Sequence, residues 1–144
     1  HGKYQEAIND YSKALDQMNK SKEGYLLSYD IDLCFVYTQR GFNYQQSVEK
    51  QLQIDLWSKH SPSKKASLLR SASNDIQQSI SDFTKSIEIG CSPISTMYLR
   101  RGLSYGYKSE MKSACSDWRQ AVALGHKDAA EWVTSYEWVT SYCK

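Results

Sequence analysis

The sequence predicts an all-α fold of stacked antiparallel helix hairpins, and three observations lead there. Apolar residues recur every three or four positions in three stretches: Tyr4, Ala7, Ile8, Tyr11, Ala14, Leu15 and Met18; Ile76, Ile80, Phe83 and Ile87; Met111, Ala114, Cys115, Trp118, Ala121 and Leu124. Such spacing places each set on one stripe of an α-helix, with polar residues opposite. The stripes also align on one another as small, aromatic, small: Ala7, Tyr11, Ala14, then Ser79, Phe83, Ser86, then Ala114, Trp118, Ala121. Phe83 and Trp118 stand 35 residues apart, the length of two short helices with their turns, and a period of that length marks a solenoid. Finally, two prolines and seven glycines in 144 residues are too few for an all-β chain that must turn every ten residues or so.

The run Gly2-Lys3-Tyr4-Gln5-Glu6-Ala7-Ile8-Asn9-Asp10-Tyr11-Ser12-Lys13-Ala14-Leu15 resembles the second helix of a tetratricopeptide repeat nearly residue for residue. The segment SACSDWRQAVALGHKDAAEWV, from Ser113 to Val133, is similar to the closing segment of many bacterial, especially cyanobacterial, members of that family. The resemblance implies a right-handed superhelix of TPR-like hairpins ending in a C-terminal capping helix. It also implies a function: the first helix of each hairpin lines a concave groove that receives a peptide or a partner protein.

One domain covers residues 1–144, with its elements in the following order. Residues 1–19 supply the second helix of a truncated first repeat, followed by a long loop around Asn19 to Ser28. Residues 29–58 read as an irregular repeat, with Leu33, Cys34, Tyr37 and Gly41 in its first helix and turn, then Tyr44, Ser47 and Val48; Gln51 stands where the aromatic is expected. Residues 61–90 read as a second irregular repeat whose opening stretch offers Ser63 and Ser67 in place of tyrosine and glycine. Residues 95–125 form a regular repeat, with Tyr98, Gly102 and Tyr105 in the first helix and Ala114, Trp118 and Ala121 in the second. Residues 126–143 make the cap, giving about eight helices by the period argument. Within the cap, Glu131 to Tyr136 is repeated as Glu137 to Tyr142. Six residues are roughly one and two-thirds turns, so Trp132 and Trp138 diverge by about 240°. The second copy is expected to carry the helix past the body, leaving Trp138 the more exposed.

Composition narrows the function. The chain is 40% hydrophobic and 24% charged, with no apolar run near the roughly 18 residues a membrane span needs, and a net charge of +2 gives no global field toward nucleic acid or membrane. Neither membrane nor nucleic acid is expected as a partner, and the tryptophans and tyrosines read as core. The cysteines Cys34, Cys91, Cys115 and Cys143 include no C-x-x-C pair, so no metal site follows and the thiols are expected to pack as small hydrophobes. Lacking a disulfide framework, the chain is expected in the cytoplasm. It starts at His1 rather than Met and so reads as cut at its N-terminus, upstream of which a signal peptide would be invisible.

No enzyme and no cofactor are expected. His1, His60 and His126 have no evident partner, Asp10, Asp82, Asp117 and Glu131 fall at helical spacing on polar faces, and no phosphate-binding or nucleophile motif occurs. The uneven charge lies between Lys59 and Arg70, where Lys59, Lys64, Lys65 and Arg70 meet no acid. In the family, basic side chains on successive first helices clamp a terminal carboxylate. The resemblance therefore makes Lys64, Lys65, Arg100 and Arg101 groove candidates for an acidic protein or peptide, although Arg101, preceding Gly102, also suits a packing role. Two alternatives differ in class: RNA binding through the basic, serine-rich centre, and a C-terminal appendage of an upstream enzyme domain.

Overall fold

The computed structural model describes residues 2–20, 26–135 and 137–143, and every regular element among them is helical. In chain order these are α1 (Gly2–Lys20), α2 (Leu26–Leu52), a 3-10 helix (Ile54–Lys59), α3 (Pro62–Ile89), α4 (Ile94–Tyr107), α5 (Met111–Ala123), α6 (Lys127–Ser135) and α7 (Glu137–Tyr142). From α1 to α6 each α-helix packs on the next, and α7 packs on both α6 and α5.

Local chemistry sets the boundaries of α3 and α5. Pro62 occupies the first turn of α3, and the Ser61 hydroxyl accepts the Lys64 N–H at 3.3 Å, satisfying one amide that the helix itself leaves unpaired. Both helices stop at a glycine, Gly90 and Gly125, each at φ 83°, a left-handed conformation that costs any residue with a Cβ. Each stop is sealed by the same bond. Cys91 N–H reaches the Ser86 carbonyl at 2.9 Å, and His126 N–H reaches the Ala121 carbonyl at 3.0 Å.

Two hairpins, α2/α3 and α4/α5, are built on one plan. Tyr37, Arg40, Gly41 and Tyr44 on α2 correspond to Tyr98, Arg101, Gly102 and Tyr105 on α4. Each glycine lets an aromatic ring press on its backbone. A Cβ on Gly41 would sit 3.1 Å from the Phe83 ring, and one on Gly102 only 2.6 Å from the Trp118 ring. Phe83 and Trp118 are themselves fully buried, as are their small neighbours Ser79, Ser86, Ala114 and Ala121. Arg40 and Arg101 stand 61 residues apart whereas their partners Asp82 and Asp117 stand 35 apart, so the α2/α3 hairpin holds 26 extra residues between its two halves.

Those residues correct the expected organisation of the middle. α2 runs unbroken through Gly41 and Gln51, and α3 runs unbroken from Pro62 to Ile89. The stretches 29–58 and 61–90 are thus not two hairpins but the two arms of one long hairpin. Gly41 is a packing glycine rather than a turn. Gln51, at the place expected for an aromatic, donates to Ser47 Oγ at 3.0 Å and to Asp75 Oδ2 at 2.7 Å, giving that level of the α2/α3 contact a polar character. The extension continues the core, in which Val48, Leu52, Ala72, Ile76 and Ile80 pack with Trp57, Leu68 and Leu69 and with Tyr105 and Tyr107 from α4. Of the loop placed around Asn19 to Ser28, residues 21–25 lie outside the described residues.

The cysteines overturn a second expectation. Cys34 is bonded to Cys91 and Cys115 to Cys143. The first disulfide ties the N-terminal half of α2 to the α3–α4 turn, and the second ties the end of α7 to α5. Residues 57 and 28 apart become neighbours only through the tertiary fold, which is why chain spacing concealed them. The cap also differs from expectation. Ala129 is buried and Trp132 meets Trp118 edge-on at 6.0 Å, while Val139 is fully buried beside Cys115 and Cys143. The second copy of the six-residue duplication folds onto α5 instead of projecting; the Trp138 side chain lies outside the described residues.

Trp118→Ala is expected to cost about 3 kcal/mol or more by chemical denaturation, from lost burial and the cavity left behind. Gly102→Ala should cost about 1–3 kcal/mol, because its methyl would overlap an indole that has no free space to enter. A value under about 0.5 kcal/mol for either would place the site at the surface. Alkylation of the unreduced, denatured protein should find no free thiol. Reduction of the pair that closes the 57-residue loop should remove roughly 4 kcal/mol by the loop-entropy argument.

Candidate functional site

The two arginines are placed by the plan just described. Arg40 Nε and Nη2 donate to both carboxylate oxygens of Asp82 at 2.8 and 2.7 Å, and its Nη1 reaches Ser12 Oγ on α1 at 3.1 Å. Arg101 repeats the arrangement, with two bonds of 2.7 Å to Asp117 and one of 3.2 Å to Thr84 Oγ1 on α3. Each guanidinium thereby links three helices. Tyr37 flanks Arg40 at 5.9 Å, and Tyr98 and Tyr105 flank Arg101 at 5.4 and 5.9 Å. Burial pushes the Asp82 carboxyl above its ordinary range, while the hydrogen bonds and charge of Arg40 pull it back; the bond to Asp82 raises Arg40 in turn. Arg101 is raised for the same reason by Asp117.

This packing sets α2 and α4 side by side and parallel. Thr38 meets Met97, Gln45 meets Ser104 and Glu49 meets Tyr107, an offset of 58 or 59 residues at every level. Gln45, fully buried, donates to the Arg100 carbonyl at 3.0 Å and to Ser104 Oγ at 3.1 Å. Tyr107 donates its hydroxyl to Glu49 at 3.1 Å, and burial, then that carboxylate, pushes the phenol well above its usual pKa.

Toward the N-terminal ends of the two helices these bridges give way to an open, mostly apolar groove of about 710 Å³. Phe35, Thr38 and Phe42 line it from α2, Thr96 and Met97 from α4, and the Cys34–Cys91 disulfide closes one end. Phe35 is 58% exposed, one of the most exposed large apolar side chains described. Phe42 is held edge-on against Phe83 at 5.5 Å, so its position is fixed by the core beneath. The Arg100 guanidinium lies 4.9 Å from the Phe42 ring and donates from Nη1 to Gln45 Oε1 at 3.3 Å, while its Nε is buried without a protein acceptor.

The four basic residues singled out from sequence fall in three places. Arg100 does not line the groove but stands beside it, against Phe42. Arg101 is consumed by Asp117, so packing, rather than ligand contact, is its role. Lys64 and Lys65 open α3, which runs antiparallel to α4, with Ser79 bonded to Ser104 at 2.8 Å. At 1.5 Å per residue they sit roughly 25 Å or more along α3 from the level of Arg100. They do not stack beside it on a parallel first helix. Lys65 instead covers Trp57 at 5.5 Å. Sequence reasoning missed Phe35, Thr38, Phe42 and Met97; the recurrence of Tyr-x-x-Arg-Gly-x-x-Tyr at 37–44 and 98–105 would have aligned α2 with α4 and exposed them. His126 accepts the Ala129 N–H through Nδ1 at 3.3 Å and so caps α6. Among the described residues no group of three or more His, Cys, Asp or Glu side chains is gathered as a metal site. No protein-family profile, curated protein sequence or solved structure matches the chain.

A double-mutant cycle separates the two arginine roles. Arg101→Ala and Asp117→Ala should each cost about 3 kcal/mol, since each strands the other charge in a largely buried site. The double variant should cost less than their sum by more than about 1 kcal/mol. Arg100→Ala should change stability by under about 1 kcal/mol; additive Arg101 and Asp117 effects would show that the pair is not coupled.

Proposed function

We propose that the chain is a tetratricopeptide-like scaffold without catalytic activity, whose α2/α4 groove receives a segment of another protein. The observation that carries this reading is the parallel pairing of α2 and α4 around an apolar trough with an exposed phenylalanine at its mouth. A peptide would lay an apolar side chain over Phe35 and Phe42 and direct a carboxylate to the Arg100 guanidinium beside Phe42, a charge-assisted donor. This keeps an acidic peptide as the preferred ligand while moving its contacts away from Lys64, Lys65 and Arg101. The two disulfides favour an oxidising compartment over the cytoplasm expected from composition.

Fluorescence anisotropy with pools of short peptides tests the reading. Apolar peptides carrying one or two acids should bind best. Phe35→Ala should weaken binding about tenfold or more, in the range of a moderate hot spot. Arg100→Gln should reduce binding of the acidic pool alone, and Lys64→Ala with Lys65→Ala should leave it unchanged. Affinity indifferent to both Phe35 and Arg100 would remove the groove as the binding face.

A further inference from the structure

The 26 residues that lengthen the α2/α3 hairpin serve neither the groove nor the arginine links, yet they create a projecting tip of unusual chemistry. The end of α4 is level with Glu49, through Tyr107. Residues 50–75 therefore extend beyond α4, by roughly 20 Å if measured along the fourteen residues from Pro62 to Asp75. On the other side, Tyr4 of α1 shares a depression with Lys50, Gln53, Ile54 and Leu56. The outer face of the tip is formed by exposed residues of the 3-10 helix and of the first turns of α3.

Its charge is equally set apart. Residues 50–75 carry Lys50, Lys59, Lys64, Lys65 and Arg70 against two acids, Asp55 and Asp75, although the whole chain has a net charge of only +2. The remainder of the molecule is thus close to neutral, and the net positive charge is concentrated in the tip. Lys50, Lys59, Lys64 and Arg70 are exposed. Between them the 3-10 helix holds two aliphatic side chains out of the core, Ile54 at 41% and Leu56 at 45% exposure. Trp57 is turned the other way, packed against the extension core with Lys65 over its ring. The short helix is rigidly seated by one aromatic while presenting two aliphatics.

We propose that this tip docks on an anionic lipid surface. Lysine and arginine side chains meet the phosphate-bearing headgroups, and Ile54 with Leu56 enters the boundary between headgroup and acyl chain, the division of labour that holds peripheral segments on bilayers. Aliphatic rather than aromatic exposure favours lipid over single-stranded nucleic acid, which needs ring faces on which to stack its bases. No described helix is long and apolar enough to cross a membrane, so the contact is one of lying on the surface. With the net positive charge confined to the tip, the molecule is oriented with its tip inward and its α2/α4 groove clear of the bilayer. The sequence expectation of no membrane partner rested on total charge, which averages this asymmetry away.

Co-sedimentation of the full chain with vesicles tests it. Binding should be seen with vesicles containing roughly 30 mol % phosphatidylglycerol in phosphatidylcholine and be weak with phosphatidylcholine alone, falling as salt is raised. Lys59→Gln with Lys64→Gln should lower the partition coefficient by about fivefold per charge removed. Ile54→Ser with Leu56→Ser should lower it by at least about fivefold while leaving circular dichroism and groove-peptide affinity unchanged. All four positions are exposed, so loss of fold is not the expected result. Equal binding to neutral vesicles, an inert aliphatic pair, or preference for homopolymeric RNA over anionic vesicles would each overturn the proposal.

Discussion

A half-buried arginine between three helices, closed by a buried aspartate, is the interaction on which the remainder of the structure depends. Arg40 with Asp82 and Arg101 with Asp117 are bidentate, with each aspartate almost fully withdrawn from solvent. A buried ion pair is a poor source of net stability, because desolvation offsets most of the attraction. Its value lies in what it forbids. A one-residue slip of either helix would leave a carboxylate and a guanidinium buried without partners, so each hairpin is confined to a single register. The third bond, to Ser12 or Thr84 on the preceding helix, carries that register into the next layer.

Close packing is what allows such a pair to be buried at all. Gly41 and Gly102 admit the Phe83 and Trp118 rings onto the helix backbone. The small residues on either side of those rings let α2 approach α3 and α4 approach α5 without voids. Once both hairpins obey one plan, α2 and α4 must be parallel, and the face they share is determined. Polar bridges fill its C-terminal half, from Gln45 to Tyr107, whereas its N-terminal half is left open over an apolar floor. The groove is therefore a consequence of the arginine links rather than an independent feature. The extension follows from the same plan: residues added beyond the paired registers can lengthen both arms of a hairpin without disturbing either link.

Much of the helical content was legible because amphipathic spacing is a local signal. The stripes of α1, α3 and α5 and the burial of Ala114 and Trp118 follow from it directly. Periodicity is silent on continuity, however. An uninterrupted helix and two helices joined by a tight turn show the same spacing, and Gly41 carried the appearance of a turn although its lack of a side chain serves a neighbouring ring. For Arg101 the sequence left a groove role and a packing role open, for a related reason. A charge counted along the chain says nothing of the aspartate sixteen residues on that neutralises it. The disulfides and the groove-lining phenylalanines were hidden by distance in sequence, since both arise only when the α3–α4 turn is brought against α2.

The groove is the claim on which the functional account stands, and backbone and methyl NMR of the labelled chain with an apolar, singly acidic peptide tests it most directly. Shifts should concentrate at Phe35, Thr38, Phe42, Thr96 and Met97, with the Arg100 guanidinium signals shifting as the carboxylate arrives, while α5 and α6 stay still. Perturbations clustered on the outer faces of α3 and α5, with the Arg100 signal unmoved, would contradict the account.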